Sequence, residues 1–371
     1  MKILFVGEGT YATSLAQTHK SYLEGFPQRE KFLFDEMIKQ GVEINKYSHA
    51  SVRSEKFLKE EKKKFKEWLQ DHWNLYDMIF INNPFSFSII PNEWVRPVIF
   101  DYIDLYEKMY MTEFPGDQEG LSILQDSLAA VCERANRIIA QGGSTMKWMI
   151  EQGYAEKTTV IPNGYNEKLF YPYPKQKLEK VREKYFELYP HLKGKKIIAF
   201  TGKLGRWYSG LVDVARVVCD MEDWVFVLAG DGPLFDELKR FPKEKVTLLG
   251  RVKLEEVPDI QNLAHVCTLP VDDDSPIATT EYMACGRPVV HKGRLIDWLI
   301  VFGYHGDLVE HNCEYAEAII NSYRAITSPE AERRGYVQWN VDRVKNLTWS
   351  KLSKRFTEFV QSAVGEIKEV E

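Results

Sequence analysis

Cysteine is scarce in this sequence. Cys132, Cys219, Cys267, Cys285 and Cys313 are odd in number, far apart and free of any C-x-x-C pair. That pattern excludes a disulfide framework and a thiolate zinc site, and it fits a reducing, cytoplasmic compartment. Long apolar runs are missing too: the opening stretch, residues 1–7, is too short for a signal peptide, and no later run approaches a membrane span. A peripheral contact with a membrane surface stays open. No charge sign dominates, since 49 basic side chains stand against 54 acidic ones for a formal charge of −5. The bulk electrostatics therefore carry no footprint of a nucleic-acid partner. Repeats and low-complexity tracts are absent as well.

What is present is apolar mass. The 371 residues are 44% apolar and 13% aromatic, more than one ordinary domain requires, so two domains are the natural expectation. Short runs rich in Val, Ile and Phe recur at residues 3–6, 42–47, 78–81, 98–101, 137–140 and 158–161, with helical stretches between them. A second series occupies 196–201, 224–229, 246–249, 266–269 and 288–290. Each series reads as βαβ units, giving an α/β fold with two doubly wound halves. Residues 165–195 carry Pro172, Pro174 and Pro190 around a charged helical stretch and read as the connector. Near the end, Trp349, Leu352, Phe356, Phe359 and Val360 fall at helical spacing and should bury one face. A lysine-bearing helix at 55–73 reads as a solvated surface helix, because Glu55, Glu60, Glu61 and Glu67 offset most of its charge.

The segment 272–290 carries the most chemistry. Ser275 suits an N-cap and Pro276 the first helical position, which leaves the N–H groups of Ile277 and Ala278 pointing outward, with Thr279 in the same turn. Those donors and the helix dipole make an anion site. Glu281 lies five residues beyond Pro276, roughly 7.5 Å along the axis, a reasonable reach for a ribose beside a bound pyrophosphate. Asp273 falls in the loop before the cap, where a sugar on the other phosphate would place its hydroxyls.

Two acidic residues with a proline between them, followed by Glu281, Met283, Ala284, Gly286, Pro288 and Val289 in E-x-M-A-x-G-x-P-V-V, resemble the donor signature of the retaining glycosyltransferases of family 4. That resemblance implies the GT-B fold: two Rossmann-like domains facing across a cleft, here 1–168 on the acceptor side and 169–345 on the nucleotide-sugar side, with a last helix, 346–371, packing back on the first. It departs from the family at Asp273, where glutamate is usual. The triplet Asp272-Asp273-Asp274 also mimics a metal-binding D-x-D, but the Ser-Pro helix start argues against that, and no metal or cofactor is expected.

Further stretches support the resemblance. Val160-Ile161-Pro162-Asn163-Gly164 is similar to the family's interdomain V-I-P-N-G. Gly202-Lys203-Leu204-Gly205-Arg206 corresponds to the donor loop, whose cations would hold the leaving pyrophosphate; Lys203 takes the first place, and Arg206 supplies the second charge where the expected lysine is Ser209. A positive group is needed there because charge grows on the diphosphate as the glycosidic bond breaks. Gly230-Asp231-Gly232-Pro233 and the stretch 246–252 resemble further donor-side segments, placing Arg251 and the backbone of Val252 beside the base. In the first half, Gly7-Glu8-Gly9-Thr10 allows close backbone approach at Gly9 and Thr10, although Ala12 interrupts G-x-G-x-x-G. Asp104 follows a strand where many members carry a histidine that this chain lacks; it reads equally as a substrate contact or a cap.

The expected activity is transfer of a sugar, with retention, from a nucleotide diphosphate sugar to a hydroxyl acceptor. The acceptor is a glycan, a lipid-linked sugar or a small molecule, and the donor a UDP-sugar in preference to GDP-mannose. Two alternatives stay open on sequence: a nucleotide-sugar epimerase or hydrolase of the same fold, and a non-catalytic nucleotide-sugar-binding protein.

Overall fold

The computed structural model describes residues 1–8, 28–271, 277–292, 308–309, 315–328 and 335–368. Its contacts divide the chain into two units, Met1–Pro162 with Trp349–Glu371, and Asn163–Thr348. The first boundary falls at Pro162/Asn163, ahead of the 168/169 junction expected from the sequence. Among the described residues the strands form one six-stranded sheet in each unit.

In unit 1 the strands are β1 (Lys2–Glu8), β2 (Glu43–His49), β3 (Met78–Ile81), β4 (Val98–Tyr102), β5 (Arg137–Ala140) and β6 (Thr158–Val160). They pair in the order β2-β1-β3-β4-β5-β6, every pair parallel. Met78–Ile81 is apolar at every position and buried at every position, as a strand covered on both faces requires. The crossovers include α1 (Gln28–Lys39), α2 (Glu55–Gln70), α3 (Pro84–Ser88), α4 (Tyr106–Glu113), α5 (Gln118–Arg134) and α6 (Gly143–Glu151).

Four of the six lysines of α2 find carboxylates: Lys59 meets Glu55, Lys63 meets Glu67, Lys64 meets Glu61, and Lys66 meets Glu93. Its apolar side buries Phe65 and Leu69 while Phe57 stays exposed. Among the described residues no helix is long and apolar enough to cross a membrane.

Unit 2 contains β7 (Lys196–Thr201), β8 (Trp224–Ala229), β9 (Val246–Gly250), β10 (Val266–Leu269), β11 (Val289–Lys292) and β12 (Leu308–Val309) in the order β12-β11-β10-β7-β8-β9. The helices before, between and after them are α7 (Lys175–Leu188), α8 (Gly210–Cys219), α9 (Phe235–Leu238), α10 (Val257–Leu263), α11 (Ile277–Ala284), α12 (Tyr315–Thr327) and α13 (Tyr336–Val344). Residues 165–195 are no free linker: Tyr165, Phe170, Val181, Tyr185 and Leu192 belong to the core of this unit. Tyr173 fixes the stretch to α10, its N–H on Asn262 Oδ1 at 2.9 Å and its hydroxyl on Asp259 at 2.9 Å.

The chain returns to unit 1 as α14 (Trp349–Lys368). Trp349, Leu352, Phe356, Val360 and Val364 are buried at three- and four-residue spacing, one stripe of the helix. Phe32 stacks on Trp349 at 5.1 Å, and Phe356 meets Phe34 at 5.8 Å and Phe80 at 5.6 Å. Ser353 Oγ donates to Leu33 O and accepts from Glu36 N, tying α14 to α1. Burying Phe356 and Val360 contributes roughly 1.5–3 kcal/mol each by area removed from water.

Candidate functional site

In unit 2 the strand after β7 lies on one side of it, and β10 lies on the other. Strand order therefore reverses between β7 and β10, and in open parallel sheets ligands bind outside the carboxyl ends of the strands at that reversal. Two helices begin there. After β7, Gly210 opens α8 so close to the chain following β10 that an added Cβ would sit 2.6 Å from Pro270 O. After β10 comes α11, whose first described residues, Ile277 and Ala278, are half-buried.

The loops at this edge are built from backbone. Gly202 N donates to Ala229 O at 2.9 Å, Leu204 N to Asp231 O at 3.0 Å, and Gly230 N to Gly250 O at 2.8 Å. Leu234 N returns to Leu204 O at 3.0 Å. A Cβ on Gly230 would stand 1.7 Å from Gly202 O, and one on Gly232 would stand 2.6 Å from Leu204 O. Only glycine lets these chains touch, which is the physical content of G-K-L-G and G-D-G-P. The loops after β7, β8 and β9 thus form one bonded layer that carries Gly202, Lys203, Arg251 and Val252. Lys203, Arg206 and Arg251 are exposed, so their charges face solvent and any anion arriving from it. Trp207 and Tyr208 pack against the core instead, Tyr208 against Phe200 at 5.5 Å.

Helix α11 is locked to the same edge. Tyr282 is fully buried, and its hydroxyl accepts from Thr201 N at 2.8 Å, one residue before Gly202. Gln261 Nε2 donates to Thr201 Oγ1 at 3.0 Å, and Cys285 Sγ donates to Gln261 Oε1 at 3.4 Å. Thr280 Oγ1 reaches Gly164 O at 3.3 Å, and Thr279 Oγ1 pairs with His291 Nε2 at 3.3 Å. The helix stops at Gly286, whose φ of 72° allows Arg287 N to reach Tyr282 O and Gly286 N to reach Met283 O. Those are the two bonds of a glycine C-terminal cap, which explains the alanine-to-glycine half of the motif. Glu281, 6% exposed, is held on this short helix one residue before the Tyr282 anchor.

Burial sets the protonation states nearby. His291 is fully buried and pushed down to about 3, so its ring is neutral, and its Nδ1 has no partner. The thiol of Cys285 is pushed up to about 12 by burial, as is that of Cys132 in unit 1, so neither is a nucleophile at neutral pH. Among the described residues no group of three or more His, Cys, Asp or Glu side chains could hold a metal ion.

Unit 1 has a carboxyl edge of different construction. Asp101, fully buried on β4, accepts Arg29 Nε at 2.7 Å and Arg29 Nη2 at 3.1 Å. Arg29 also donates to Ile161 O and Pro162 O, at 2.7 and 3.0 Å. Asp101 is therefore an ion-pair partner of Arg29. Beside it Glu30 is fully buried; Asn82 Nδ2 donates to its Oε1, and its Oε2 has no partner. Burial first, and the charge of Asp101 second, push Glu30 up to about 7. His49 Nε2 pairs with Ser86 Oγ at 2.9 Å.

The structure brings Gly202, Lys203, Arg206, Arg251, Val252, Ile277, Ala278, Thr279 and Glu281 to one edge of unit 2. Asp104 lies half-buried in unit 1, between β4 and α4. Asp273, Gly9 and Thr10 lie outside the described residues, as do Asp272, Asp274, Ser275 and Pro276. Sequence reading missed Tyr282, Thr201, Gln261 and His291. Tyr282 occupies an unspecified place in the motif, so no pattern marks it.

Residues 195–324 match the family described as Glycosyl transferases group 1. No curated protein sequence matches the chain. Solved structures are similar over nearly the whole length. The sucrose-phosphate synthase of Thermosynechococcus elongatus is 16% identical with a TM-score of 0.73, covering 98% of this chain and 99% of that one. Anabaena HepE in complex with UDP-glucose is 17% identical with a TM-score of 0.67, covering 98% and 100%. An α,α-trehalose 6-phosphate synthase of Burkholderia multivorans is 11% identical with a TM-score of 0.65, covering 99% of each.

Proposed function

Starting from a glycosyltransferase of the group 1 type on the GT-B fold, matched to that family over residues 195–324, we propose that the chain moves a sugar with retention from a UDP-sugar to an acceptor hydroxyl, without a metal. The observation that carries this reading is the bonded edge at the β7/β10 reversal, where Tyr282 of α11 accepts from Thr201, two residues before Lys203. The complex of HepE with UDP-glucose favours uridine as the base.

In this reading the N–H groups of Ile277, Ala278 and Thr279 and the cations of Lys203 and Arg206 receive the diphosphate. Glu281 accepts from the ribose hydroxyls, Arg251 and the Val252 backbone flank the base, and Asp273 orients the sugar. Gly9 and Thr10 offer backbone to donor or acceptor, and Asp104 contacts one of the two substrates. The bond between the anomeric carbon and the leaving phosphate oxygen breaks as the acceptor oxygen bonds to the same face of that carbon. The acceptor proton passes to the leaving phosphate, so no side-chain nucleophile is required. Cationic and helix-end groups stabilise the charge that grows on the diphosphate.

The test is calorimetric titration of UDP-, GDP- and ADP-sugars in EDTA against the wild type, Glu281→Ala and Glu281→Gln. The wild type should select one base, and both variants should bind it at least about tenfold more weakly, the loss of one charged hydrogen bond. Unchanged donor affinity in variants that melt like wild type would sink the Glu281 assignment. Donor consumed without any acceptor would turn the reading toward an epimerase or hydrolase.

A further inference from the structure

We propose that Arg53, with Ser51, forms an oxyanion site on unit 1 that recognises a phosphate or carboxylate carried by the acceptor. Both residues follow β2 at the carboxyl edge of the unit 1 sheet, the edge on which doubly wound sheets hold their ligands. Arg53 is half-buried, yet its guanidinium makes no hydrogen bond or ion pair with any described residue, and its Nε is buried without a partner. Ser51 Oγ, two residues earlier, is in the same condition.

Other arginines withdrawn from solvent behave differently. Arg29 is spent on Asp101 and two carbonyls, Arg96 on the carbonyls of Trp73 and Tyr76, Arg137 on Asn136 O, and Arg287 on the carbonyls of Cys285 and Ala264. An Nε–H shielded from water without an acceptor is unfavourable, and the Nη groups of this half-buried side chain remain available to an oxyanion.

Arg53 is also held in position. Its guanidinium carbon lies 3.8 Å from the centroid of Phe114 and 5.9 Å from that of Tyr110, with those two rings 5.0 Å apart. An aromatic support of this kind fixes the plane of the fork and leaves its N–H edge to a bidentate oxyanion. Asp117 makes no ion pair with Arg53: its carboxylate accepts from Tyr110 Oη at 2.7 Å and from Gly120 N at 2.9 Å, and these bonds, with a smaller contribution from the nearby Arg53 charge, hold it below the usual carboxylate range. Ser51 Oγ, buried and unpartnered two residues earlier, is the further donor of the proposed site.

The assignment of this oxyanion to the acceptor rests on the transferase reading above; the site itself does not. The experiment is titration of the full chain with glucose, glucose 6-phosphate, glucuronate and inorganic phosphate, followed by calorimetry and by NMR. Wild type should bind glucose 6-phosphate or glucuronate at least tenfold more tightly than glucose, and the better of the two identifies the oxyanion. Arg53→Gln, which keeps the stacking shape, should erase that preference; Arg53→Lys should keep part of it, and Phe114→Leu should weaken it several-fold. UDP-glucose affinity should be the same in all four proteins, while Glu281→Ala should leave the oxyanion preference intact. Charged and neutral probes bound equally by wild type, or a preference that survives Arg53→Gln, overturns the proposal. Loss of donor binding in wild type, with the oxyanion preference retained, would remove the transferase reading and leave the site standing.

Discussion

The two carboxyl edges use opposite materials. Unit 2 builds its edge from main chain, with glycines that let loops from three neighbouring strands bond directly, and it exposes its cations. Unit 1 builds its edge from side chains, burying Arg29, Glu30 and Asp101 together and orienting His49 through Ser86. A backbone-built edge presents fixed dipoles to a constant group such as a diphosphate. A side-chain edge can be refitted by single substitutions, which suits a partner that varies. The contrast can be broken by substitutions at either edge.

The largest expected effect is at the buried ion pair. Asp101→Asn leaves Arg29 charged and short of its partner, and urea unfolding should show a loss of about 3–5 kcal/mol. A loss below about 1 kcal/mol would mean that the carbonyls of Ile161 and Pro162 suffice, and the unit 1 edge would not depend on paired charge. Next is Gly230→Ala, whose methyl must displace Gly202 O. It should cost about 3 kcal/mol, in the range of special backbone positions, and abolish donor binding. Donor binding that survives would show that the loop layer is a scaffold only.

Glu30 tests the same contrast by pH. Its carboxyl is raised from 4.5 to about 7, so the folded chain keeps a proton that the unfolded chain releases. The stability this group contributes is full below pH 4.5 and is lost as pH rises through 7, about 3 kcal/mol in all. Glu30→Gln should therefore match wild type near pH 4.5 and exceed it at pH 8, read as a higher Tm only at the alkaline end. The smallest effect is at Tyr282→Phe. Thr201 N loses its buried acceptor at a cost of about 1–2 kcal/mol. Donor affinity should fall with it if the link between α11 and the β7 loop positions both.

Much of the fold could be read in advance because parallel buried strands write themselves as unbroken apolar runs, as Met78–Ile81 and Trp224–Ala229 do. The two-residue β12 carries no such signal. Residues 165–195 read as a connector because prolines and charge surround Tyr165, Phe170 and Val181, whose burial follows no single period. The unit 2 edge was legible because close backbone contact demands glycine at fixed places. Tyr282 was not, since a buried hydroxyl acting over 81 residues leaves no local pattern. Nor were Arg29 and Asp101, which meet across 72 residues.

One feature of the fold bears on how the chain is made. The stripe of α1 that receives Phe356 and Trp349 is synthesised early, but α14 emerges only after all of Asn163–Thr348. At ribosomal speeds of about 5–20 residues per second, Phe32 and Phe34 wait roughly 15–65 s for their cover. During that interval unit 2, uninterrupted in sequence, can complete its own core, so the half of the molecule that begins first is finished last. Nascent chains stalled before Trp349 would carry an uncovered aromatic face, the kind of surface that chaperones bind.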